Sequence, residues 1–161
     1  MMNAPSLMLT TTVKDDLELF YQFQLDQQAN YLAAFTAKDP QDRGAYFEKY
    51  TKFLTDPTIH MRTIHVNDRI VGSIARFNIE GDAEITYWID RDYWGQGIAS
   101  SALSRFLKME LTRPLYGRTA FDNFGSQRVL EKCGFVRTGQ DKGFANARQA
   151  EIEEYIYRLS E

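Results

Sequence analysis

At 161 residues, 43% of them hydrophobic and 25% charged, the chain has the composition of one ordinary globular domain, which excludes disordered and collagen-like classes. A formal net charge of −3 excludes a broad basic face for duplex nucleic acid and confines any phosphate site to a local cluster. The single cysteine, Cys133, has no partner for an internal disulfide and no metal-ligand spacing around it, so no metal and a reducing, cytoplasmic setting are expected.

The start, Met1 to Val13, has no basic segment followed by an apolar one and no small-residue cleavage pattern. No apolar run reaches the roughly 18–20 residues of a membrane span. One domain over 1–161 and no membrane contact are expected. Leu7 to Val13, with Thr10, Thr11 and Thr12, reads as a strand. From Asp16, the spacing of Leu17, Phe20, Tyr21 and Phe23 predicts a helix continuing loosely to Leu32. A loop over Ala34 to Pro40 leads to a second helix from about Gln41 to Asp56, with Tyr46, Phe47, Tyr50, Phe53 and Leu54 on one side. Ile59 to Val66 and Ile70 to Ile79 read as a hairpin about Asn67-Asp68. Ala83 to Ile89 adds a third strand after Gly81-Asp82.

After Gly97 the period changes. Ile98, Ala102 and Phe106 form one row, and Ala99, Leu103 and Leu107 form the next, as an amphipathic helix requires. Leu115 to Phe121 is a predicted strand. Asn123 to Cys133 is a predicted helix with Val129 and Leu130 inward and Gly134 as its stop. Phe135 to Thr138 and Glu151 to Leu159 are predicted strands joined by a polar loop around Gly139 to Ala150.

The most informative local feature is a strand, a turn carrying Gly95 and Gly97, and then this long helix. A helix start leaves backbone N–H groups unpaired, its dipole adds positive charge, and glycine lets an anion approach closely. A plain tight turn with nothing bound is the competing reading. No P-loop pattern occurs. The dinucleotide fingerprint is a nearer decoy, with Gly95, Gly97 and then Asp122, and a nucleotide-binding oxidoreductase would use it. Ser100 stands in place of its third glycine, a meander precedes it, and only about 40 residues follow Asp122, too few for a doubly wound sheet.

The segments Ile85-Thr86-Tyr87-Trp88-Ile89, Tyr93-Trp94-Gly95-Gln96-Gly97-Ile98-Ala99 and Asn123 to Phe135 together resemble the GNAT superfamily of N-acetyltransferases. The Tyr-Trp-Gly-x-Gly turn and the Asn-x-x-Ser helix are most similar to the branch of ribosomal-protein alanine N-acetyltransferases. The resemblance covers about Ile59 to Leu159, and more loosely the N-terminal strand and helices. It implies a mixed α/β (α+β) fold: a mostly antiparallel sheet of about six or seven strands, flanked by about four helices, with the cofactor at a splayed strand pair.

It further implies acetyl transfer from acetyl-CoA to a primary amine by direct attack in a ternary complex. The amides of Trp94, Gly95, Gln96, Gly97, Ile98 and Ala99 would cradle the pyrophosphate. The strand edge at Trp88 and Ile89 would pair with pantetheine, Asn123 and Ser126 would lie beside the thioester, and Arg128 would reach a phosphate or stay solvated. Trp94 stands where Gln or Arg is frequent, and Leu130 where tyrosine is frequent, which removes the usual general acid.

Amine acetylation needs a neutral amine, a polarised thioester carbonyl and a proton for the thiolate. The resemblance implies a backbone N–H of Trp88-Ile89 as the polariser. Glu84 is the candidate base, against the reading of an exposed strand residue. Ser126 is the candidate acid, with Tyr87 behind it, against the reading of a helix N-cap. An α-amine, at about 7.7–8.0, needs a weaker base than a lysine at about 10.4. Cys133 looks buried rather than nucleophilic, and His60 and His65 read as strand residues. Tyr31, Phe35 and Tyr46 read as core, or, as the resemblance implies for the N-terminal helices, as the border of the acceptor groove, where Arg43 or Arg76 would read an acidic acceptor. The expected partner is an amine-bearing acceptor, a small molecule or a protein N-terminus, and a homodimer is left open. A catalytically silent acyl-CoA sensor is the alternative function.

Overall fold

The computed structural model describes residues 6–161; the first five residues of the leader-free reading lie outside them. One seven-stranded sheet runs through the chain in the order β1-β2-β3-β4-β5-β7-β6. In sequence the elements are β1 (Leu7–Thr11), a 3-10 turn (Lys14–Asp16), α1 (Leu17–Gln24), α2 (Gln27–Ala33), α3 (Arg43–Thr55), β2 (His60–Val66), β3 (Arg69–Ile79) and β4 (Asp82–Ile89). A second 3-10 turn (Arg91–Tyr93), α4 (Ile98–Met109), β5 (Leu115–Ala120), α5 (Phe124–Lys132), β6 (Val136–Ala145) and β7 (Ala150–Leu159) complete it. Every strand pairing is antiparallel except β4 with β5.

Two main cores lie on the two faces of the sheet, beside a small third cluster of Ala34, Ala120 and Ala145. On one, Ile98, Ala102, Leu103 and Phe106 of α4 and Leu130 of α5 pack on Val71, Ile74, Ile85, Ile89, Leu115 and Tyr157. On the other, Leu17 and Phe20 of α1 meet Met61 and Ala75, walled by Tyr46, Phe47 and Tyr50 of α3. Each fully buried large side chain contributes about 1.5–3 kcal/mol. The β2–β3 hairpin turns on Asn67 (φ 50°) and Asp68 (φ 66°), left-handed residues that suit a tight hairpin.

The helix expected from Asp16 to Leu32 is two helices. Asp26 takes an extended conformation (φ −61°, ψ 122°), and its carboxylate accepts the Ala29 N–H at 2.9 Å, capping a new helix. Its other oxygen takes Arg91 Nε at 2.9 Å. This break raises the helix count to five. The polar loop expected over Gly139 to Ala150 is mostly strand. β6 runs on to Ala145 and pairs with β7 throughout, with a bulge between Arg137 and Gly139. As the sheet edge it exposes Arg137, Gln140, Asp141 and Lys142, so its composition is that of an edge strand.

Candidate active site

The parallel pair β4–β5 stays in register only at Glu84–Tyr116 and Ile85–Gly117, and then the strands part. A V therefore opens between the last four residues of β4 and the far half of β5. On the outer side of β4, Gly72 fits closely against the Trp88–Ile89 segment. A side chain there would put its Cβ 2.1 Å from the Trp88 carbonyl oxygen, so the approach demands glycine.

The glycine turn sits at the end of β4. Gly95 (φ 78°) and Gly97 (φ 76°) are left-handed, and a Cβ on either would meet no protein atom within 4 Å. Backbone conformation requires these glycines, and the space in front of them is open. Trp94 folds back so that its Nε1 donates to the Ile89 carbonyl at 2.9 Å. Gly97 caps α4 without a side chain. The first amide to bond inside the helix is that of Ser101, to the Gly97 carbonyl, so Ile98, Ala99 and Ser100 present amides outward. Such a terminus suits an anion.

Across the V, Asn123 caps α5 by accepting the Ser126 N–H at 3.2 Å and donates to the Leu32 carbonyl at 3.3 Å. Ser126 Oγ shares a 2.8 Å hydrogen bond with the Tyr87 hydroxyl. Burial pushes the Tyr87 phenol up to about 12, against a smaller lowering by that bond. Arg128 is exposed and makes no ion pair among the described residues.

Glu84 is 5% exposed, which corrects the exposed-strand reading. It stands at the closed end of the V, and its Oε1 accepts Arg118 Nε at 2.9 Å. Arg118 also binds Glu154 at 2.8 Å and faces Asp141 at 3.6 Å. Sequence reading missed this cluster. Its signal was an arginine inside the predicted strand Leu115 to Phe121, but its partners come from three other strands.

The arginines assigned to an acidic acceptor are engaged elsewhere. Arg43 pairs with Glu18 and lies 4.6 Å over the Phe47 ring. Arg76 donates to the Thr58 carbonyl at 2.8 Å and lies 3.9 Å from buried Glu110. Glu110 also holds His60 Nδ1 at 2.5 Å, and His65 bonds Thr10, so both histidines serve the strands. Tyr31 is exposed and stacks 3.9 Å from the Arg148 guanidinium, whereas Tyr46 belongs to the α1–α3 core. Cys133 is half-buried, and burial pushes its thiol up.

The chain belongs to the GNAT family of acetyltransferases: residues 6–136 match the acetyltransferase (GNAT) domain. An uncharacterized N-acetyltransferase, p20, of Bacillus licheniformis is 28% identical over 101 residues, 57% of this chain. The match spans 56% of that relative's length. Among solved structures, Mycobacterium smegmatis RimJ in complex with CoA-disulfide superposes with a TM-score of 0.82 at 19% identity, covering 98% of this chain and 83% of that one. The spermidine N-acetyltransferase of Vibrio cholerae, in complex with CoA and spermine, gives 0.78 at 18% identity over 96% and 95%. Both likenesses are of fold. Among the described residues no group of His, Cys, Asp and Glu is arranged to hold a metal ion, and no helix is long and apolar enough to cross a membrane.

Proposed function

We propose that residues 1–161 form one cytoplasmic N-acetyltransferase domain that moves an acetyl group from acetyl-CoA to a primary amine by direct attack in a ternary complex. The observation that carries this reading is the uncapped start of α4 behind two left-handed glycines, set at the open end of the splayed β4–β5 pair. The amides from Trp94 to Ala99 hold the pyrophosphate, Trp88 and Ile89 pair with the pantetheine, Asn123 and Ser126 border the thioester, and Arg128 reaches a phosphate. A Trp88-Ile89 amide polarises the carbonyl, held in place by the Gly72 contact.

Glu84 is the base. Four residues of strand put it about 13 Å from Trp88, so its proton travels through water. A carboxylate is a sufficient base for an α-amine, which at about 7.7–8.0 already has a sizeable neutral fraction at neutral pH, more readily than for a lysine side chain at about 10.4. Beside the turn, a cleft of about 500 Å³ is lined by Leu19, Phe23, Arg69, Ile70, Asp90, Asp92 and Tyr93, two carboxylates against one guanidinium. That net negative lining favours a cationic acceptor such as a polyamine or a protein N-terminus.

A silent acyl-CoA sensor is the second reading, favoured by Leu130 and by the engagement of Glu84 with Arg118. Free-thiol release from acetyl-CoA, with peptide N-termini, polyamines and aminoglycosides as acceptors, separates the two when run beside calorimetric CoA binding. Acceptor-dependent release is expected. Tight CoA binding without turnover across the panel selects the sensor, and absent CoA binding refutes both. Glu84→Gln should lower kcat on the order of 10²-fold and shift its acid limb; an unchanged pH profile would remove the base role.

A further inference from the structure

Beyond the last registered pair, Ile85–Gly117, Tyr87 is the β4 side chain that crosses the V. Its ring packs against the α4–α5 core, and its hydroxyl reaches Ser126 Oγ at 2.8 Å and the Ser126 carbonyl at 3.3 Å. Ser126 is itself fixed through its amide, which donates to Asn123 Oδ1. Beside this hydroxyl pair, Leu130 and Thr119 offer no free donor. Leu130 is 1% exposed, with its Cδ2 2.9 Å from where a Gly117 Cβ would stand, and Thr119 Oγ1 donates to the Ala120 carbonyl at 3.2 Å. A thioester arm lying in the V must pass this hydroxyl pair.

We propose that Tyr87 is a catalytic residue, a fixed O–H donor to the thioester sulfur as the carbon–sulfur bond breaks, with Ser126 as the residue that aims it. The inference rests on the acetyltransferase reading above. The amine nitrogen bonds to the acetyl carbon, and the carbon–sulfur bond breaks with its electron pair on sulfur. The surplus proton of the nitrogen leaves through water and ends on the thiolate, so Tyr87 keeps its own. A phenol at about 12 facing a thiol of ordinary value about 8.5 would give up its proton uphill by more than a thousandfold. The same value keeps the O–H intact at every working pH, so it stabilises developing charge on sulfur as a preorganised donor does.

The test titrates the thiol of CoA bound to the protein, read as thiolate absorbance against the unliganded protein, in wild type, Tyr87→Phe and Ser126→Ala. The bound thiol should titrate about one pH unit lower in wild type than in Tyr87→Phe, with Ser126→Ala between. CoA affinity should change by less than about threefold. With an acceptor, Tyr87→Phe should lower kcat by on the order of 10–100-fold at unchanged KM for acetyl-CoA, with the alkaline limb unmoved. Identical thiol titrations in wild type and Tyr87→Phe overturn the role of Tyr87 alone. Absence of CoA binding by wild type overturns the acetyltransferase reading with it. Should Tyr87→Phe fail to fold, Ser126→Ala decides: a raised thiol titration supports the proposal and an unchanged one overturns it.

Discussion

Replacing Gly97 by alanine separates the needs of the fold from the needs of a ligand. Gly97 holds φ 76° and ψ 12°, where an L side chain costs roughly 1–2 kcal/mol. At about 2–4 °C per kcal/mol for a chain of this size, Tm should fall by about 2–8 °C. The new methyl would meet no protein atom within 4 Å, so no packing cost is added. Backbone strain present equally in free and bound protein cancels from the dissociation constant, leaving only contact between the methyl and the ligand. A pyrophosphate drawn onto the α4 amides would meet that methyl, and CoA affinity should fall at least about tenfold, a further ~1.4 kcal/mol. Differential scanning fluorimetry without ligand and calorimetry with CoA read the two effects separately. A Gly97→Ala protein with the expected Tm loss and a Kd within about twofold of wild type would refute the cradle.

The remaining predictions concern charge and the thiol. Arg118→Met leaves the 5%-exposed Glu84 without its cation and should cost about 2 kcal/mol, after allowance for the partial exposure of Arg118. Adding Glu84→Gln should restore part of it, as a urea double-mutant cycle would read. The hydrogen bonds from Arg148 hold the Asp122 carboxyl below the usual carboxylate range against the opposing effect of burial. That stabilisation is fully present above the unfolded value of about 3.9 and is lost as pH falls through the lower folded value. Asp122→Asn should therefore cost about 2 kcal/mol at neutral pH and little in strong acid; equal losses at both would contradict the linkage. Burial raises the Cys133 thiol, with Lys132 opposing, so alkylation should run slower than for a free thiol. Cys133→Ala should keep full turnover, and a large loss would reopen a nucleophilic role.

Local features were legible in the sequence because local rules govern them. The rows Ile98, Ala102, Phe106 and Ala99, Leu103, Leu107 follow from helical period, and Asn67-Asp68 and Gly134 (φ 92°) from the residues that tolerate positive φ. The glycine turn between strand and helix was legible in the same way. Asp26 was not, because its capping role looks identical in sequence to a solvated charge within a helix, and its second partner, Arg91, stands 65 residues away. β6 was misread because an edge strand faces solvent and sheds the hydrophobic alternation that betrays a strand. The Glu84–Arg118–Glu154–Asp141 cluster was invisible for a topological reason: β4 and β5 become neighbours only through a parallel crossover, and β7 lies between β5 and β6.

The end of α2 and the residues after it are tied to two segments on the β5 side of the V, the start of α5 and the β6–β7 turn. Asn123 donates to the Leu32 carbonyl, Arg148 to the Tyr31 carbonyl at 2.6 Å, Ala147 to the Ala34 carbonyl at 3.1 Å, and Asn146 to the Thr36 carbonyl at 2.8 Å. These bonds join the α2 end to the start of α5 and to the β6–β7 turn as one unit. On the acetyltransferase reading proposed above, any displacement of the β5 side by a pantetheine arm would pass through these bonds to the α2 end. By reciprocity, whatever that guest does to the affinity for a second, the second does in equal measure to the first.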